Sequence, residues 1–80
     1  MNTDVPSTET LDARNLLCPL PVIKTQKKIK TMRTGETLLV IASDPGVKHD
    51  IPAWCRIHDH QVLEVITQGN DIHITICVGA

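Results

Sequence analysis

The side chains best able to do covalent chemistry are three cysteines, and they lie far apart at Cys18, Cys55 and Cys77. A thiolate, not a thiol, is the nucleophile, so each is judged by what would ionise it and what could reach it. Cys18 stands where a loop meets the start of a helix, directly before Pro19 in CPLPVIKTQKKIKTMRTG. Free N–H groups and the helix dipole at such a place favour negative charge, which predicts a stabilised Cys18 thiolate. Moving its pKa from about 8.5 toward about 7 would leave the sulfur about half ionised at neutral pH. Pro19 and Pro21 remove two donors and weaken that field, but they stiffen the turn that carries the sulfur. A lone free cysteine is also often a buried small hydrophobe, and position alone leaves both readings open. Cys55, beside Trp54 in a second helix, is expected to be buried. Cys77 falls on the last strand with His73 and Thr75, partly exposed and with no neighbour to activate it.

Two further groupings carry chemistry by their composition. Cys55, His58 and His60, with His49 nearby, have the residue types of a zinc site, but no second cysteine pair completes them, and no metal site is assigned. Five of the eight Lys and Arg residues fall at Lys24, Lys27, Lys28, Lys30 and Arg33. Such a run is either a solvated helix face or a surface that steers an acidic partner.

The elements that must position these residues follow from periodicity. Glu9–Ala13 reads as a short strand and 14–18 as a loop, with Asn15 suited to positive φ. The helix after Cys18 places Val22, Thr25, Ile29 and Met32 on one stripe and its lysines opposite, with Gly35 as its stop. Leu20 and Ile23 fall among the lysines, either packed under the preceding loop or forming a docking patch. Thr37–Ser43 is a continuous apolar run, which predicts a central strand buried on both sides. Asp44-Pro45-Gly46 turns the chain, and Asp50 is the expected N-cap of a helix over Ile51–Asp59. Pro52 falls in that helix's first turn, and Ile51, Trp54, Cys55 and Ile57 are expected to be buried in part. Strands Val62–Thr67 and Ile72–Val78 flank a hairpin turn at Gln68–Asp71. The order β-α-β-α-β-β predicts an α+β fold: a two-layer sandwich of a four-stranded mixed sheet with both helices on one face.

Composition sets the outer limits. Eighty residues form a single domain, expected over 9–80 behind a flexible 1–8 tail. Trp54 is the sole aromatic and the net charge is −1, which argues against stacking on single strands or neutralising a duplex. No apolar run is long enough to span a membrane, and neither a secretory leader nor a disulfide framework is expected, so the cytoplasm is the default compartment.

Leu11-Asp12 followed by Leu17-Cys18-Pro19-Leu20-Pro21 resembles the signature of the TusA (SirA-like) sulfur-carrier family. Gly35-Glu36, Ser43-Asp44-Pro45 and Asp50-Ile51-Pro52 with Cys55 follow in that family's order and spacing, so the resemblance covers Thr10 to Val78. Many members have Gly where this chain has Asn15, a mild departure because Asn accepts the same backbone region. The resemblance implies a β-α-β-α-β-β two-layer fold and a sulfurtransferase with limited turnover of its own. Its cargo would be a persulfide on Cys18, with no other cofactor. It implies a donor protein of cysteine desulfurase or rhodanese type and an acceptor similar to DsrE or TusBCD. The relay would serve tRNA thiolation or dissimilatory sulfur oxidation. No role for Cys55 or Cys77 follows from it. Arg14, Leu20, Ile23 and Lys24 are the expected docking residues around the thiol, on a chain expected to be a monomer. A non-enzymatic regulatory module using the Lys24–Arg33 face is the alternative. A thiol-disulfide oxidoreductase ranks below both, because no Cys-x-x-Cys pair is present.

Overall fold

The computed structural model describes residues 8–79. The expected tail, apart from Thr8, lies outside the described residues. The elements are β1 (Thr8–Ala13), α1 (Leu20–Ile29), β2 (Thr37–Ala42), α2 (Val47–Ile57), β3 (Gln61–Gln68) and β4 (Asp71–Cys77). They form one sheet of order β1-β2-β4-β3, with β1 parallel to β2 and the other two pairings antiparallel. This is the expected mixed four-stranded sheet with two helices over it.

The core follows from a period of two meeting a period of about four. Leu38, Val40 and Ala42 of β2 lie in register with Ile76, Ile74 and Ile72 of β4, and all six are buried. Val47, Ile51 and Cys55, spaced four apart on α2, are buried in the same cluster, as is Ile29 of α1. The outer face of β2, with Leu39 and Ile41, is only half-buried, because no second layer among the described residues covers it. That corrects the expectation of burial on both sides. A central place in the sheet does not by itself give a strand two packed faces.

Both helices depart from their expected bounds. α1 ends at Ile29, and Thr31 and Met32 donate N–H bonds to Lys28 and Ile29 in a tighter turn that brings Met32 against the core. Gly35, at φ +94°, belongs to the turn before β2, where its N–H meets the Val78 carbonyl at 2.8 Å. α2 starts a turn early, with Gly46 as N-cap, so Asp50 lies inside the first turn and Pro52 lies within the helix. An interior proline costs about 3 kcal/mol. Full burial of Val47, worth about 1.5–3 kcal/mol, and the Asp44 carboxylate on the Gly46 N–H at 3.1 Å together offset that cost. At the other end Asp59 adopts φ +64° and the His60 N–H reaches the Cys55 carbonyl at 2.8 Å, closing the helix with a left-handed cap. Ile57, expected to be partly buried, points outward at 75% exposure. It falls outside the Val47–Ile51–Cys55 stripe. β3 is an edge strand with a bulge between Val62 and Glu64, and Leu63, Val65 and Ile66 are exposed along it.

Candidate functional site: the Cys18 loop

β1 and β2 run parallel, so their C-terminal ends emerge on the same edge of the sheet. The β1–α1 loop and the β2–α2 loop therefore meet there. Asn15 takes φ +64°, as its residue type allows, and its N–H donates to Ser43 Oγ at 2.8 Å. Three residues on, the Cys18 N–H donates to Asp44 Oδ2 at 2.9 Å. The Cys18–Pro19 peptide is cis. Leu20 N–H is taken by the Leu17 carbonyl at 2.9 Å, and α1 continues without a side-chain cap.

Cys18 is half-buried, and Leu17 beside it is 74% exposed. Leu20, Ile23 and Lys24, one helical turn apart on α1, are all exposed. Leu20 and Ile23 are therefore not tucked beneath the preceding loop; with Leu17 they leave apolar side chains exposed at the start of α1. Arg14 is exposed but engaged: its guanidinium meets both carboxylate oxygens of Asp12, at 3.0 and 3.1 Å, and lies 3.7 Å from Asp71. Those hydrogen bonds hold Asp12 down at about 2. On the lysine face, Lys28 pairs with Glu9, while Lys24, Lys27 and Lys30 stand exposed.

The electrostatics of Cys18 overturn the expected stabilised thiolate. Partial burial, then hydrogen bonding to Asp50 and Asp44, then the charge of both carboxylates push the thiol up to about 12. The α1 terminus does not compensate, since positions 19 and 21 carry no N–H and that of Leu20 is already used. Asp44 moves the opposite way. The N–H groups of Cys18 and Gly46, and then the thiol, hold its carboxyl below the usual range. The charge fixed beside the sulfur is thus negative.

Asp44, Asp50 and Leu17 are site neighbours that sequence reasoning did not pick out. Asp44 was legible as a turn residue, Asp50 as a cap, and both as positions of the family resemblance with no role attached. Neither role says that two loops would fold together. The remaining candidates lie elsewhere. Cys55 is buried, and burial pushes its thiol up to about 11. Cys77 is on the outer sheet face at the opposite end of β4. His58 and His60 flank Trp54, with ring centroids at 4.7 and 5.2 Å, so they do not gather with Cys55 around a common point. A hollow of about 330 Å³ is lined by Ser43, Pro45, Lys48, Thr67, Gly69, Asn70 and Ile72, and does not include Cys18. No helix among the described residues is long and apolar enough to cross a membrane.

Comparison with known proteins bears on the fold and on the family. A SirA-like protein from Desulfitobacterium hafniense superposes with a TM-score of 0.78 at 23% identity, over 90% of this chain and 99% of that one. At that identity the likeness bears on the fold. The family model described as Sulfurtransferase TusA matches residues 9–78, from the first strand through Cys18 to the last strand. The chain belongs to the TusA family of sulfur-carrying sulfurtransferases.

Proposed function

We propose that the protein carries sulfane sulfur as a persulfide on Cys18 and relays it between two other proteins in the cytoplasm. The observation that carries this reading is where the thiol sits: on the loop between β1 and α1, next in the chain to exposed Leu17 and just ahead of exposed Leu20 and Ile23, and outside the hollow. A nucleophile so placed is suited to another macromolecule's reactive group more than to a small molecule held in a cleft. Arg14 and Lys24, both exposed, complete the proposed docking set, Arg14 while held in ion pairs with Asp12 and Asp71.

The transfer is balanced without an oxidant. The Cys18 sulfur attacks the outer sulfur of a donor persulfide, forming a new Sγ–S bond as the donor S–S bond breaks. The donor's inner sulfur leaves with the electron pair and takes up the proton that Cys18 gives up. Delivery to the acceptor is the same exchange with roles reversed. A cysteine desulfurase or rhodanese-type donor, a DsrE-like or TusBCD-like acceptor, and a destination in tRNA thiolation or sulfur oxidation complete the reading. Incubation with polysulfide should add about 32 Da, one sulfur atom, at Cys18 and not in Cys18→Ser. Equal loading of the two proteins would refute it.

A further inference from the structure

Asp44 links the two loops of the site directly. Its Oδ2 accepts the Cys18 N–H at 2.9 Å from 26 residues away, and its Oδ1 accepts the Gly46 N–H at 3.1 Å. Gly46 lies against the sulfur: a methyl built on its Cα would sit 3.6 Å from Cys18 Sγ and 3.6 Å from Asp44 Oδ1. Asp50 lies one turn further along α2, and its carboxylate adds to the upward push on the thiol. The other charged or titratable groups on the surrounding elements are Glu9 and Asp12 of β1, Arg14 of the β1–α1 loop, Lys24, Lys27 and Lys28 of α1, and Lys48, His49 and Arg56 of α2. Among the described residues, no ion pair joins any of these cations to Asp44 or Asp50. A sulfur that must act as an anion therefore has carboxylate charge beside it that no cation neutralises among the described residues, the reverse of what a self-activating cysteine needs.

We infer that Asp44 is a positioning residue for sulfur transfer and that, together with Asp50, it holds Cys18 as a thiol until a docked protein presents a cationic side chain to the pair. The inference rests on the carrier reading. It specifies the chemistry of the partner: an apolar surface to meet Leu17, Leu20 and Ile23, with a lysine, an arginine or a protonated histidine directed at the two carboxylates. That cation cancels the repulsion that opposes ionisation, and the thiol proton then passes to the thiolate leaving the donor. The free carrier is kept unreactive, and the docked carrier is activated, with no movement of the backbone required.

Two methanethiosulfonate reagents test this on the full chain, one bearing a trimethylammonium group and the other a sulfonate, with labelling at Cys18 located by peptide mass. Carboxylates beside the sulfur should favour the cationic reagent by about tenfold at low salt. Asp44→Asn and Asp50→Asn should each lower that ratio and move the pH midpoint of labelling downward, and the double variant should bring the ratio near unity. A residue that served only the fold would change neither quantity. Asp50→Asn keeps the inference testable should Asp44→Asn fold poorly, since Asp50 makes no backbone contact with the other loop. A wild-type preference for the sulfonate reagent, or Asn variants with the wild-type ratio and midpoint, would overturn the inference. Polysulfide loading of the same samples separates the two ideas. Failure to load with the charge preference intact removes the carrier reading, whereas loading with no charge preference removes only the role of the carboxylates.

Discussion

The resting Cys18 thiol should be a slow nucleophile despite standing at the surface. With its pKa near 12, about one molecule in ten thousand is a thiolate at pH 8, against about a quarter for an ordinary cysteine near 8.5. The more basic sulfur is intrinsically the better nucleophile, and a Brønsted slope of about 0.4–0.5 recovers about 30-fold of that deficit. Carbamidomethylation of Cys18 by iodoacetamide in the folded protein should therefore run between about 30- and 100-fold slower than in the urea-unfolded chain. Its rate should keep climbing past pH 10 without a plateau. The assay is a quenched time course with peptide masses reporting Cys18 separately from Cys55 and Cys77. Labelling of the folded protein as fast as the unfolded chain, or a plateau below pH 9, would show that burial and the two carboxylates do not hold the thiol protonated.

Two further outcomes concern the far end of the sheet. A β-carbon on Gly79 would lie 1.7 Å from the Asp59 carbonyl oxygen, a backbone atom that cannot swing aside. Gly79→Ala should therefore break the Gly79–His60 hydrogen bond, loosen buried Val78 and cost about 2–4 kcal/mol in urea denaturation. A change within about 0.5 kcal/mol would contradict this. His60 accepts that N–H through Nδ1 at 2.9 Å, and burial, then the charge of His58, hold its pKa below 6.5. The unfolded chain protonates first, so this stabilisation is complete above pH 6.5 and is lost as pH falls through the folded value. The wild-type urea midpoint should drop more steeply than that of His60→Gln as pH falls below about 6.5, and parallel profiles would count against the assignment.

The alternation in β4 and the turn residues at Asn15 and Gly69 made the sheet and its hairpin readable, because these depend on neighbours in the chain. Cys18 itself was marked by its prolines. The start of α2 was misread because Pro52 is a strong local signal for a first turn, whereas burial of Val47 is a tertiary gain that no local rule weighs. The protonation state of Cys18 was misread for a similar reason. A helix start is visible in sequence, but the carboxylates that outweigh it arrive from 26 and 32 residues away. Exposure of Leu20 and Ile23 was left open by periodicity, which says which face they share and not what lies above it.

The bulge in β3 bears on how such a small molecule persists in a crowded cell. Leu63, Val65 and Ile66 lie along an unpaired sheet edge, a template on which a foreign backbone could add itself ladder-fashion. The extra residue between Val62 and Glu64 breaks the regular spacing of donors and acceptors along that margin, and Glu64 sets a charge beside the irregularity. Fibre-like stacking would have to bridge that dislocation in every added copy, which blunts the one border of the fold most inclined to self-association.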